Sequence, residues 1–416
     1  MRVFQQIPSV PTLVMAKSNF NEMLVDQCPV LTRKFWPCVW QPSATMQHWV
    51  YHLLRNLRSA YEDPASKWTR EKLLTKDGHG ITIDRLDDDK VKVQDSAHII
   101  LIINCSMSGS HAYESFTYAE QLLAKGFRVY SLNLRGAANA QLKTAGDKVP
   151  IAFNTLSGMG DLRETVNWLT KRHKGRRLTL TSFGTASAMV LNYLNTEGKR
   201  APVDSAVCIS PAMQMESLAE LGWLENRMEL EKLKVEVLHR HADELEAALG
   251  EEKVQEAEGS KTVGRFHELV TMQVCGDEPD DDMRYSDYLK AHSLSTLGDN
   301  IERPVMFLCS KDDPVYKFKE VMPPAIVKQF KTHPHAILVV ASHGGHNCLF
   351  ESFFSANWAS RVTHQVRVKQ SDPFSFPASF LIPAVTVAVP ECGRMCCCTQ
   401  FARIVGAMHE AEARRK

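Results

Sequence analysis

The sequence predicts an α/β domain: a mostly parallel central sheet with helices on both faces and an inserted helical cap. Three observations predict it. From residue 98 onward, short β-rich apolar runs (98–104, 127–134, 177–181, 204–209, 304–309 and 336–341) alternate with amphipathic stretches such as 113–125 and 162–174. That alternation places parallel strands in one sheet and lays helices across it. Between 215 and about 266 a charged helical stretch, Glu225-Asn226-Arg227-Met228-Glu229-Leu230-Glu231-Lys232, interrupts the rhythm. One strand runs directly into a sharp turn of small residues and then a helix.

With 416 residues and 44% apolar content, the chain is long enough for one large domain with appendages. Residues 1–95 form an N-terminal arm and an entry strand. That strand, 80–86, follows Lys76-Asp77-Gly78 and reads as antiparallel after a turn. Residues 96–214 make the first half of the core, 215–275 the cap, and 276–364 the second half with the loops after its last strands. In the cap, 223–238 carries apolar residues at helical spacing with Glu and Lys between them, a solvated face over a packed one. Residues 365–416 form an apolar, Cys-rich extension. Its charge-free stretch 373–390 contains four prolines, which speaks against a spanning helix and leaves room for a surface-lying segment. The adjacent Cys396-Cys397-Cys398 has poor metal spacing even with Cys392 and reads as a reactive tail open to lipidation.

The formal net charge is +1, so no bulk field holds nucleic acid or an anionic membrane. Eleven cysteines is an odd number, and Cys105, Cys208 and Cys309 close strand-like runs where a free thiol packs as a small hydrophobe. A reducing, intracellular compartment is expected. No segment reaches the roughly 18 uncharged apolar residues of a membrane span, and the first twenty residues lack a signal-peptide core. Membrane association is expected to be at most peripheral.

The chemistry centres on the sharp turn. Leu178-Thr179-Leu180-Thr181 leads into Ser182-Phe183-Gly184-Thr185-Ala186, followed by the helical Ser187-Ala188-Met189-Val190-Leu191. In α/β hydrolases the nucleophilic serine sits on such a strand-to-helix elbow, commonly as G-x-S-x-G, because small residues on both flanks let the turn close. Here the flanks are present and the hydroxyl is missing: Gly184 holds the position. Ser182 has the bulky Leu180 two places before it, and Ser187 already lies inside the helix. An elbow residue takes a positive φ, which strains any residue but glycine, so losing the serine favours the fold while removing acyl transfer. Downstream, Ser310-Lys311-Asp312-Asp313-Pro314-Val315 follows a strand as an acid should, and Ser342-His343-Gly344-Gly345-His346 follows the last strand as a base should. The Asp-Pro step favours Asp313 over Asp312, and the preceding Gly-Gly favours His346 over His343. An oxyanion hole would use the backbone N–H of Thr185 and one from Cys105 or Ser106.

These residues resemble a known group: α/β-hydrolase-domain proteins one and three, with their bacterial YheT-like and plant embryogenesis-associated relatives, which include lipases and phospholipases. The resemblance covers 11–351. It is carried by Cys28-Pro29-Val30-Leu31 with Phe35-Trp36-Pro37 and Val39-Trp40, by Asp77-Gly78 with Ile83-Asp84, and by Asn133-Leu134-Arg135-Gly136. Further matches are Asp161-Leu162, Leu191-Asn192-Tyr193-Leu194, Asp312-Asp313-Pro314 and Gly344-Gly345-His346. Laid over the family's elbow, the nucleophile position falls on Gly184. The family's oxyanion loop reads Asn104-Cys105-Ser106-Met107-Ser108-Gly109 here, a second departure. Many members carry a membrane-inserted N-terminus; this chain begins close to where the matching segment starts, and no anchor is inferred from it.

The resemblance implies a lipase or carboxylesterase-type protein. Gly184 turns that into a pseudoenzyme, a ligand-binding or assembly protein in which Asp313 and His346 remain as remnants that hold their loops. The alternative is an active carboxylic-ester or lipid hydrolase with an unorthodox nucleophile, Cys105 or Ser106, or with water positioned by Asp313 and His346. A lipid or acyl ligand is expected, with a protein partner through the cap or the C-terminal tail. No cofactor, metal or nucleic acid is expected.

Overall fold

Nine strands of a computed structural model form one sheet in the order β1-β9-β8-β7-β6-β4-β5-β3-β2. They are β1 Thr12–Val14, β2 Trp68–Leu74, β3 Gly80–Leu86, β4 Ile99–Ile103, β5 Arg128–Asn133, β6 Leu178–Phe183, β7 Ser205–Ile209, β8 Val305–Ser310 and β9 Ala336–Ala341. The structure describes residues 8–36, 43–44, 46, 67–105, 108–137, 151–153, 156–274, 283–347, 350–351 and 356–368. The Cys-rich extension beyond 368, with 373–390, Cys392 and Cys396 to Cys398, lies outside them.

Strands β4 to β9 run parallel to their neighbours, β3 is antiparallel to β5, and β2 and β1 close the two edges antiparallel to β3 and β9. Every residue of β4 and β6 to β9 is buried, as parallel strands covered on both faces require. Successive side chains point to opposite faces, so each strand feeds two layers. Ile99, Leu101, Ile103, Leu178 and Leu180 join Leu162, Val166, Met189 and Leu191 from the helices Gly160–Arg172 and Ala186–Glu197. Ile100, Ile102, Phe183 and Val207 join Phe116, Leu122 and Val362 from the helices Tyr113–Leu123 and Trp358–Val368.

Between β7 and β8 the described residues include the helices Trp223–Leu233, a π-helical Lys234–His239, Ala242–Leu249, Glu251–Glu258, Val263–Leu269 and Tyr285–His292. The helical material thus runs past residue 275, where the sequence reading places the return to the core. Tyr285–His292 packs on the 3-10 turn Glu216–Ala219 and on Val263–Leu269. The insertion ends where apolar packing partners end, not where charge density falls. Along its first helices Leu230, Leu233, Val237 and Leu238 are buried, while Trp223, Arg227, Glu231, Val235 and His239 form an exposed stripe four residues apart. His241 ties the insertion to the core, its Nε2 2.8 Å from the Gly136 carbonyl. No helix among the described residues is long and apolar enough to cross a membrane.

A buried carboxylate sets the loop after β4. Asp84 on β3 accepts Arg70 Nε and Nη2, both at 2.8 Å, together with Asn133 Nδ2 at 2.7 Å and the Ser110 hydroxyl. Asn133 Oδ1 in turn accepts the Ser110 N–H at 2.8 Å. Burial alone would raise the Asp84 carboxyl, but these donors together hold it below the usual carboxylate range. Its contribution to stability is therefore complete above about pH 5 and is lost as pH falls through the lowered value. Asp84→Ala, which strips four donor groups on Arg70, Asn133 and Ser110 of their acceptor, should lower the unfolding free energy by about 3 kcal/mol, read from chemical denaturation. Asp84→Asn should flatten the acid limb of the melting-temperature profile; an unchanged limb would count against this role.

Candidate active site

The carboxyl ends of β6, β7, β8 and β9 converge on one edge of the sheet. There β6 ends at Phe183, Gly184 follows with φ +56°, and Thr185 opens the helix Ala186–Glu197. The Gly184 N–H donates to the Ile209 carbonyl at 3.0 Å, and its carbonyl accepts the Ser187 N–H at 3.2 Å. Both sides of the peptide are thereby fixed, and the left-handed conformation with them. Ser210, at the end of β7, and Asn347, after His346, are the non-glycine residues with positive φ among the described residues, at 44° and 54°. The Asn347 N–H donates to Ser210 Oγ at 3.1 Å. Left-handed backbone thus clusters at this edge, as it does at functional sites.

Each of the two aspartates has its own histidine. Asp313 Oδ2 lies 2.9 Å from His346 Nδ1, while Asp313 Oδ1 accepts the backbone N–H of Val315 at 2.9 Å and of Tyr316 at 2.7 Å. Asp312 Oδ2 lies 3.2 Å from His343 Nδ1, and its Oδ1 accepts the Gly345 N–H at 3.2 Å and the Ser310 hydroxyl. Asp312 therefore bridges the two loops, and Asp313 orients the His346 ring.

Tyr316, a residue to which the sequence reading assigns no role, joins Gly184 to His346. Its ring lies 4.4 Å from the His346 ring, nearly perpendicular. Its Oη stands 2.9 Å from where a Cβ on Gly184 would be, so the phenol fills the space of the absent elbow side chain. Desolvation, with the charges of Glu229 and Asp313, pushes the phenol well above its ordinary value. Its only signal in the sequence is its place three residues after Asp313.

Ser182 and Ser187 are buried beneath the elbow, their hydroxyls 3.1 Å apart, on the face of β6 that carries Leu178 and Leu180. They also hydrogen-bond the Cys208 thiol, which burial pushes up to about 11. Cys105 lies two residues beyond β4, its Sγ 3.4 Å from Ser108 Oγ, and burial raises its thiol as well. It is a thiol and not a thiolate. Ser106 lies outside the described residues. From the cap helix Trp223–Leu233, Glu229 and Lys232, 3.2 Å apart, reach the same region electrostatically, acting on Tyr316 and on Cys105. Among the described residues no group of three or more His, Cys, Asp or Glu could hold a metal ion.

No protein-family model matches the chain. It is similar to the phospholipase ABHD3 of Bos taurus, 25% identical over 373 residues that cover 87% of this chain and 83% of the relative. The Homo sapiens phospholipase ABHD3 is likewise 25% identical, over 87% of this chain and 84% of its own. A monoacylglycerol lipase of Saccharomyces cerevisiae is 24% identical over 65% of this chain and 59% of its own. Among solved structures, a Pyrococcus furiosus esterase aligns over 73% of this chain and 95% of its own with 16% identity and a TM-score of 0.43.

A side chain at position 184 meets both a positive φ and the Tyr316 hydroxyl. Gly184→Ala should lower the unfolding free energy by about 1–3 kcal/mol. In a Tyr316→Phe background the loss should shrink toward the backbone share, with the ring carbons at 3.2 and 3.4 Å still in contact. Thermal melts of the four proteins separate the two contributions, and a Gly184→Ala variant as stable as wild type would show that 184 is not the strained elbow.

Proposed function

Starting from a chain that belongs to the α/β-hydrolase superfamily, with relatives among lipases, phospholipases and esterases, we propose a pseudoenzyme that binds an apolar acyl ligand without hydrolysing it. The observation that carries this reading is Gly184, which has the elbow backbone and no hydroxyl. Without that hydroxyl His346 has no elbow alcohol to activate, and acyl transfer lacks its first step. The surroundings support retention of a binding site. The Asp313–His346 pair is in place, and Ser210 and Asn347 keep costly left-handed backbone at the same edge. In this reading the N–H groups of Thr185 and of Cys105 or Ser106 act as the oxyanion donors, meeting a ligand carbonyl or carboxylate oxygen.

The second reading, an active carboxylic-ester or lipid hydrolase with an unorthodox nucleophile, is favoured by the same Asp313–His346 pair and by relatives whose names are phospholipase and monoacylglycerol lipase. Cys105 is a weak candidate for it, since a raised thiol is a poor nucleophile at neutral pH. A fluorophosphonate probe separates the two. The purified protein should remain unlabelled, and a covalent adduct mapped to Ser106, Ser182 or Ser187 would establish the hydrolase instead. Native mass spectrometry after gentle purification should show a bound lipid or fatty acid. An empty protein whose melting temperature no fatty acid or lysolipid shifts would end the binding reading.

A further inference from the structure

Among the described residues, the Tyr316 hydroxyl makes no hydrogen bond, and neither do the backbone N–H groups of Thr185 and Cys105. Tyr316 is only partly buried, so its hydroxyl is not sealed within the core. It stands where the elbow side chain would stand, 2.9 Å from the Cβ position of Gly184 and beside the His346 ring. Burial keeps it protonated, which makes it a donor and a poor nucleophile. The Tyr316 hydroxyl and the N–H of Thr185, the residue after Gly184, are thus donors at the elbow without protein acceptors, and Cys105 lies close enough to act on Tyr316 electrostatically. Of the carboxylates that act on this region, Glu229 is paired with Lys232 at 3.2 Å and Asp313 is hydrogen-bonded to His346 at 2.9 Å, while Glu114 also acts on Cys105.

We propose that this site takes the carboxylate of a free, apolar-tailed acid in preference to its ester, with the Tyr316 hydroxyl as the donor that replaces the absent elbow side chain. The proposal rests on the reading of a binding, non-hydrolysing site and names its ligand class. A carboxylate offers two charged acceptor oxygens to a set of donors, and charge-assisted bonds are about twice as strong as those to the neutral carbonyl of an ester.

The test uses the full chain with dodecanoate and methyl dodecanoate, each below its aggregation concentration, in titration calorimetry on wild type and Tyr316→Phe. The phenylalanine keeps the ring against His346 and removes only the hydroxyl, and a thermal melt verifies that the variant is folded. Dodecanoate should bind at least about tenfold more tightly than the methyl ester, and Tyr316→Phe should weaken dodecanoate about tenfold while weakening the ester less. Equal affinities for acid and ester without methanol release, no binding of either, or an unaffected Tyr316→Phe overturns the proposal. Methanol release from the ester overturns the non-hydrolysing reading on which it stands, and so is told apart from loss of acid preference alone.

Discussion

The turn from β6 into its helix depends on one backbone conformation. To reverse direction at the sheet edge within a residue, the chain takes a positive φ at Gly184, and the hydrogen bonds to Ile209 and from Ser187 leave no other choice. Glycine adopts that conformation without the clash an L side chain meets. Ser210 and Asn347 adopt left-handed backbone too, but against their preference, and only because β7, β8 and the loop after β9 hold them there. The edge is therefore over-determined by its neighbours, and its shape does not rely on any side chain at 184.

What surrounds that turn is held by carboxylates whose hydrogen bonds reach across loops. Asp312 spans from the end of β8 to the loop after β9, through His343 and the Gly345 N–H, and so sets the distance at which Asp313 meets His346. On the opposite side Asp84 gathers donors from β2, β5 and the loop after β4. Arg135 does the same for Asp161 and Asp77, a guanidinium shared between two carboxylates. Each is a buried or half-buried group that becomes costly if its partners move, which makes the loops around the site rigid.

The parallel core was legible because it is repetitive: fully buried strands are apolar throughout, and the runs at 98–104, 127–134, 204–209, 304–309 and 336–341 match β4, β5, β7, β8 and β9 within a residue or so. Gly184 was visible because a strand, small residues and a helix stand in line. The edge strands were not. β1 has three residues and no period to detect, and β2, Trp-Thr-Arg-Glu-Lys-Leu-Leu, reads as a charged segment because one of its faces meets water. The helix Tyr285–His292 has no local signal of its own, because it is placed by packing against Glu216–Ala219 and Val263–Leu269. Tyr316 was missed for a related reason: that its phenol would reach back to Gly184 follows from where two loops meet, which no local pattern encodes.

β1 precedes every other strand in sequence, yet among the described residues its strand partner is β9, the last strand of the sheet. During synthesis Thr12–Val14 emerges before the other strands of the sheet and must wait for the core and the helical insertion before its partner exists. Pairing over so long a separation closes late, because the loop entropy is lost before the contact is gained. Until then the outer edge of β9 lacks the cover it has in the finished fold, and an exposed edge invites pairing with other chains. The β1 segment is thus a topological latch, made before the strands it joins and among the last to engage.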